Sequence, residues 1–133
     1  MIKYESKVFK VSLKKQIHWF PIQSAIGKSY LTEFMRSVGV TDITVFVIDN
    51  KEAFDNLSAI VSIMRDNDII LLDRADLYLS TDNFHKLLEC KDCAILIDRK
   101  KGLPMSIRKY GSPVFIKYDG RSMELYDETG DRR

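Results

Sequence analysis

Hydrophobic residues in this chain form short runs with helix-like stretches between them. Four runs rich in Ile, Val and Leu are bounded by polar or charged residues: 17–22, 43–48, 69–72 and 94–97. Most of these runs lack alternation, which is typical of strands buried on both faces of a parallel sheet. Three intervening stretches place their apolar residues on one helical face: 29–38, 52–64 and 81–89. The pattern therefore predicts alternating strands and helices.

The two ends of the chain show other patterns. Residues 7–14 alternate between apolar and polar positions, which predicts a half-exposed strand. The runs 114–118 and 123–126 flank Asp119-Gly120, a strong turn signal, and are predicted to form a hairpin. The polar, basic stretch 98–112 is predicted to be a loop with one helical turn.

Together these elements predict an α/β fold with three layers. We expect a mostly parallel central sheet of about five strands, flanking helices and a C-terminal β-hairpin. Residues 1–126 are predicted to form a single domain, and residues 127–133 a charged flexible tail.

Composition narrows the class of protein only slightly. The chain has 133 residues, of which 45% are hydrophobic, enough for the core of one domain. Its net charge of +2 favours no particular partner and gives no support to nucleic-acid binding. We find no apolar leader and no run approaching the about 18 apolar residues of a membrane span, and there are only two cysteines. These features predict a cytoplasmic protein that does not enter a membrane.

The segment Gly27-Lys28-Ser29 carries the chain's main chemical signal. It follows the apolar run 17–22 and opens a predicted helix. In a phosphate-binding loop, Gly allows close backbone approach, Lys contacts the β/γ-phosphates and Ser offers a hydroxyl to Mg²⁺. The helix N-terminus adds backbone N–H donors, so Gly27, Lys28, Ser29 and the following Tyr30 are the predicted nucleotide-binding residues.

A second signal is Asp73, which directly follows the buried run 69–72. An Asp at the carboxyl end of a central strand can hold Mg²⁺ through water. Because ligands of parallel sheets bind at the carboxyl edge, Asp73 and the Gly27-Lys28-Ser29 segment are expected to lie at that same edge.

With these two motifs, residues 17–118 resemble the P-loop NTPases, and within them the additional-strand group that includes the AAA-type ATPases. The resemblance implies that Lys28 contacts the phosphates of ATP or GTP, and that Ser29 and Asp73 hold Mg²⁺. It also implies that the strand ending at Ile97 presents Asp98 or Arg99 as a sensor of the nucleotide. If the nucleotide is hydrolysed, a neighbouring subunit of a homo-oligomer could supply Arg99 or Arg108 to the site.

The chain departs from the family at two points. Ile22 stands where the loop's first Gly is expected, and 23–26 contains no Gly. Arg74 occupies the position of the Glu that orients the attacking water, so the candidates for catalysis are reduced to Asp76 and Arg99. Two hypotheses follow: a nucleotide-binding protein with weak or no hydrolysis, and a degenerate P-loop fold that serves as a protein-interaction or regulatory module. Whether the protein hydrolyses the nucleotide is left open.

Other residues with chemical potential admit several interpretations. Cys90 and Cys93 form a C-x-x-C, which fits a redox pair, half of a zinc site or two ordinary thiols near the core. His18 and His85 have no nucleophile at a recognisable spacing, and Trp19 is predicted to pack in the core. The basic loop 99–109 could contact a nucleotide phosphate or a nucleic-acid backbone, or be solvated; the phosphate interpretation is the better of the two functional ones.

Overall fold

The computed structural model describes residues 2–13, 16–21, 28–40, 42–90, 93–99, 103 and 105–127. The strands are β1 Ile2–Glu5, β2 Phe9–Leu13, β3 Ile17–Trp19, β4 Val45–Ile48, β5 Ile69–Leu72, β6 Ala94–Ile97, β7 Gly111–Tyr118 and β8 Met123–Asp127. The helices are α1 Lys28–Ser37, α2 Lys51–Asp55, α3 Leu57–Ile63, α4 His85–Leu88 and α5 Met105–Arg108, with a 3₁₀ turn at Ala75–Leu77.

The strands form one eight-stranded sheet in the order β1-β2-β8-β7-β3-β6-β5-β4. From β7 to β4 all neighbours are parallel. In the other part, β2 pairs with β8 in parallel, whereas β1–β2 and β7–β8 are antiparallel. The sheet is therefore mixed, and it curls into a half-barrel.

The predicted fold class, a three-layer, mostly parallel sheet of about five strands, is wrong. The four inner runs and the strand near residue 114 do form the parallel strands, but the sheet continues through β8 and β2 to β1. The predicted hairpin β7–β8 is not an appendage, because β2 pairs along β8 and joins the hairpin to the sheet. The predicted helix 52–64 is divided in two and 81–89 is shortened, whereas α1 keeps its predicted length, and strands dominate the architecture.

Each face of the sheet has its own hydrophobic cluster. One cluster contains the α1 residues Leu31, Phe34 and Met35 together with the inward side chains of β2 and β8. The opposite cluster contains Phe54 of α2, Leu57 of α3 and residues from the later helices. Alternate residues of a strand point to opposite faces, so β5 and β6, which are covered on both faces, have apolar residues at every position.

Local signals explain the ends of several elements. Gly39 has a positive φ of 71° and ends the α1 region, as its place after the apolar pattern predicted. Asn50 caps α2, since its side chain accepts a hydrogen bond from the backbone N–H of Ala53 at 2.8 Å. Asn56 interrupts the predicted helix 52–64, with φ −102° and ψ 25°, and separates α2 from α3. Only His85–Leu88 of the predicted helix 81–89 is helical.

The carboxyl-terminal hairpin is held by its turn. The Asp119 carboxylate accepts hydrogen bonds from the backbone N–H groups of Arg121 at 2.9 Å and Ser122 at 2.8 Å, which holds the pKa of Asp119 below its usual range. Gly120 has a φ of 91°, a conformation that favours glycine. The strand β8 then runs to Asp127, one residue beyond the predicted domain limit, and residues 128–133 of the predicted tail lie outside the described residues.

Within the described ranges, we find no helix with the length and apolarity required to cross a membrane.

Candidate functional site

The parallel strands bring several predicted site residues to one edge of the sheet. Trp19 of β3 is paired with Ile97 of β6, and Ile97 with Leu72 of β5. The carboxyl ends of these three adjacent strands are therefore level. The segments that follow them, and that carry the polar residues singled out in the sequence, all emerge at this carboxyl edge.

Backbone hydrogen bonds connect these segments just beyond the strands. The N–H of Phe20 donates to the carbonyl of Ile97 at 3.0 Å, and the N–H of Asp98 donates to the carbonyl of Leu72 at 2.9 Å. The N–H of Ala75 donates in turn to the carbonyl of Asp98 at 2.8 Å. The loop after β5 is thus fixed to the loop after β6.

Tyr78 reinforces this edge, and the sequence analysis missed it. Its hydroxyl lies 2.8 Å from the carbonyl oxygens of both Ile48 and Asp73 and can donate its proton to either. Burial, aided by the charge of Asp73, raises the pKa of Tyr78, so the hydroxyl keeps this proton. A signal was present in the sequence: an aromatic residue in the polar loop that follows a buried strand.

The predicted phosphate-binding residues stand where α1 begins. Lys28 is the first residue of this helix, followed by Ser29 and Tyr30. The structure describes only their backbone, and Gly27 and Ile22 lie outside the described residues. Helix α1 follows β3 in the chain, so its backbone begins after the carboxyl end of a strand, as predicted.

Asp73, the predicted magnesium ligand, directly follows β5 and is half-buried at the carboxyl edge. The next residue, Arg74, is exposed and adopts the left-handed conformation with φ 52°. Asp76 is exposed in the 3₁₀ turn that follows. The structure therefore brings Asp73 and Asp76 into one short loop, with Arg74 between them.

Arg99, the other catalytic candidate, is half-buried at the same edge. Its guanidinium donates a hydrogen bond to the carbonyl of Phe20, which joins the segment after β6 to the segment after β3. Its Nε is buried and has no hydrogen-bond partner among the described residues. Burial lowers the pKa of Arg99, and the nearby charges of Asp98 and Asp76 oppose this shift.

The rest of the basic loop is only partly described, because 100–102 and 104 lie outside the described residues. Arg108 ends α5 and Lys109 follows it, both exposed. The ammonium of Lys109 lies 5.2 Å from the ring centre of Tyr110, a cation–π contact within the loop.

The C-x-x-C thiols are buried, are not joined in a disulfide and lie away from this edge. The Cys93 thiol donates to the carbonyl of Cys90 at 3.1 Å. The hydrogen bond to Cys93 and burial raise the pKa of Cys90, so its thiol stays protonated and is a poor nucleophile. In the part of the chain that the structure describes, no group of three His, Cys, Asp or Glu residues is arranged to hold a metal ion.

A buried pair of titratable residues joined by a hydrogen bond was also missed by the sequence analysis. His18 of β3 and Asp127 of β8 have fully buried side chains, and Nε2 of the imidazole lies 3.1 Å from the carboxylate. Burial lowers the pKa of His18, while the hydrogen bond and charge of Asp127 oppose that shift. The two residues are 109 positions apart, so no local pattern joins them. His85, in contrast, is exposed at the start of α4, and Trp19 is buried as predicted.

Comparison with known proteins adds no relative: no protein-family model, no curated protein and no solved structure matches this chain. The resemblance to P-loop NTPases thus stays a prediction.

Proposed function

We propose that this protein binds ATP or GTP with Mg²⁺ at the carboxyl edge of strands β3, β6 and β5. The observation that carries the proposal is the adjacency of these three parallel strands. It puts the loops bearing Asp73 and Arg99 at the edge from which the chain leads to Lys28 at the start of α1.

The strand order supports this location. From β3 the chain passes to β4, at the far end of the parallel strands, and from β6 it later crosses to β7 on the other side of β3. The connection after β3 and the connection after β6 therefore lead toward opposite ends of the sheet. Open α/β sheets bind ligands in the crevice at such a switch point, outside the carboxyl ends of the strands.

The proposed roles follow the chemistry of each residue. Gly27 and the first N–H groups of α1 surround the phosphates, and Lys28 adds a point charge. Ser29 and Asp73 hold Mg²⁺, whose preferred ligands are oxygens and water. The Nε donor of Arg99, which has no partner among the described residues, suits an additional contact with a phosphate oxygen.

Slow or absent hydrolysis is part of the proposal. The position after Asp73 is occupied by Arg74, which cannot serve as a base and is exposed in a left-handed conformation. Asp76 is the remaining carboxylate of this loop that could orient water, and it belongs to the next turn. Binding without rapid turnover agrees with this arrangement. Two thiols that form no disulfide agree with the cytoplasmic location that the proposal includes.

The second candidate function is a protein-interaction or regulatory module that has lost the nucleotide. One observation favours it: the guanidinium of Arg99 is already bonded to the chain's own carbonyl at Phe20. That bond holds the carboxyl edge together without a ligand. The two functions predict different effects of replacing Lys28: a loss of nucleotide binding in the first, and only a change of surface charge in the second.

Calorimetric titration of ATP and GTP, with Mg²⁺, tests the proposal. We expect saturable binding in the wild type that is weakened at least about tenfold by Lys28→Ala, about 1.4 kcal/mol or more. Asp73→Asn is expected to remove the dependence on Mg²⁺. Lys51→Ala is the matched control, because Lys51 also begins a helix but is predicted to have no part in the site.

Absence of heat, together with an unchanged melting temperature at millimolar nucleotide, would contradict nucleotide binding and favour the interaction module. Equal losses in Lys28→Ala and Lys51→Ala would show that net charge, rather than a phosphate site, causes the binding.

A further inference from the structure

The strand β4 ends the sheet and presents its outer side without a described partner. On its inner side, the carbonyls of Thr44 and Ile48 accept hydrogen bonds from the next strand, at 3.0 Å and 2.8 Å. Successive residues of a strand direct their backbone groups to opposite sides. Val45 and Val47 therefore direct their N–H and C=O groups outward.

The side chains on this edge are apolar. Val47 is 48% exposed, and Val45 and Phe46 are half-buried. Beside the strand lies a cleft of about 510 Å³ whose lining includes Met35 and Val40. Edge strands normally avoid such a surface by carrying charges or proline, and the opposite edge does so: Lys3 and Glu5 of β1 are exposed. In contrast, β4 itself contains no charged residue and no proline.

We propose that β4 is a self-association edge that pairs antiparallel with β4 of a second copy of this chain. The two-fold axis passes beside Phe46, so that Val45 of one copy lies opposite Val47 of the other. In this register the outward backbone groups of both residues meet as hydrogen-bonded pairs. Val47 packs over Val45 of the second copy on the face that contains the cleft.

The charges at the two ends of β4 favour this orientation. Arg65 lies at the amino end, where its guanidinium donates to the hydroxyl of Thr44 at 3.0 Å and its Nε lies 3.6 Å from the carboxylate of Asp68, while 54% of its side chain is exposed. Asp49 is exposed just after the carboxyl end. Antiparallel pairing brings Arg65 of each copy toward Asp49 of the other, whereas parallel pairing brings like charges together. The exposed Asp42, which also precedes the strand, has the same sign as Asp49, so the preference for antiparallel pairing comes from Arg65.

Sedimentation velocity over a range of protein concentrations tests the pairing in the absence of nucleotide. We expect the wild type to shift from one to two copies as concentration rises, since a short edge gives a weak dimer. Val47→Lys is expected to remain at one copy. The matched control is Ile63→Lys, which changes a residue that is 68% exposed on α3 and is expected to dimerise like the wild type.

Hydrogen exchange locates the contact in the wild type itself and does not depend on a variant that might misfold. The amides of Val45 and Val47 are expected to gain protection as concentration rises, whereas those of Phe46 and Ile48, which face β5, are expected to be protected at every concentration. A single copy at all soluble concentrations would overturn the proposal. So would a dimer that Val47→Lys leaves intact. Neither result depends on nucleotide binding.

Discussion

The parallel strands and the mixed strands of this sheet meet at β7, and each part buries a carboxylate in a different way. Asp68, just before β5, accepts hydrogen bonds from the backbone N–H groups of Thr44 and Arg65, both at 2.8 Å. Asp127, at the end of β8, lies against the titratable side chain of His18. Backbone donors do not change with pH, but an imidazole does. The comparison is therefore between a carboxylate held by backbone donors and one held by a titratable side chain.

The two parts also differ in pattern. All four residues of β5 and of β6 are buried, as continuous apolar runs predict for strands covered on both faces. Along β2 and β8, buried residues alternate with more exposed ones. The inner-facing positions of β8 are Met123, Leu125 and Asp127, so the buried carboxylate occupies a core position where an apolar residue would be expected.

The largest effect is expected from Asp127→Ala, which leaves His18 buried without this partner. A buried group left without its hydrogen-bond partner typically costs about 1–3 kcal/mol in the free energy of unfolding, and more where a charged group takes part. Urea denaturation monitored by circular dichroism measures it. The control is Asp119→Ala, which removes an exposed carboxylate from the β7–β8 turn and is expected to cost less. A loss below about 1 kcal/mol for Asp127→Ala would show that the His18–Asp127 pair does not stabilise the sheet where its two parts meet.

A smaller loss is expected from Asp68→Ala, about 1–3 kcal/mol, because two backbone N–H groups lose a charged acceptor. The same denaturation experiment applies, with Asp66→Ala as the control, since Asp66 is exposed two positions earlier. If Asp68→Ala cost more than Asp127→Ala, the order of the two buried carboxylates proposed above would be reversed.

The sequence predicts one part of the molecule far better than the other, for a physical reason. Continuous apolar runs identify β4, β5 and β6, and in β5 and β6 burial on both faces explains an apolar residue at every position. The strand β1, only four residues long with two charged ones, carries a weak signal and is held by its pairing with β2. The sequence places Asp127 in the predicted charged tail, because its partner His18 is distant along the chain and no local pattern connects them.

The candidate site likewise has residues that the sequence predicts and contacts that it does not. Local motifs suffice to single out three residues, because Lys28 and Ser29 open a helix and Asp73 directly follows a strand. The contacts that connect the carboxyl edge do not appear in any motif. Tyr78 reaches the carbonyl of Ile48 across 30 positions, and Arg99 reaches Phe20 across 79. Such contacts depend on strand order, which the apolar pattern alone does not specify.

The pH dependence of stability separates the two buried carboxylates further. Burial lowers the pKa of His18 below its usual value of about 6.5, so the unfolded chain takes up this proton first on acidification. The free energy of unfolding is therefore expected to fall as the pH drops below about 6.5 toward the folded-state pKa. Chemical denaturation at a series of pH values measures this slope.

His18→Gln is the matched variant for the pH experiment, because it retains an N–H donor for Asp127 and removes the titration. Its slope between neutral pH and mildly acidic pH is expected to be shallower than that of the wild type. An opposite sign, with stability rising on acidification in the wild type and not in His18→Gln, would mean that the charge of Asp127 dominates and raises the pKa of His18.

The smallest effect is expected at Ser112, which lies opposite His18 where β7 pairs with β3. The residue is 7% exposed, and its hydroxyl is buried with no hydrogen-bond partner among the described residues. Because a buried hydroxyl without a partner is unfavourable, Ser112→Ala is expected to leave the free energy of unfolding unchanged or to raise it by about 1 kcal/mol. Ser122→Ala is the control, since its hydroxyl contacts the Asp119 carboxylate at 3.3 Å and its removal is expected to lower stability. A loss above about 1 kcal/mol for Ser112→Ala would place its hydroxyl in the same polar cluster as His18 and Asp127.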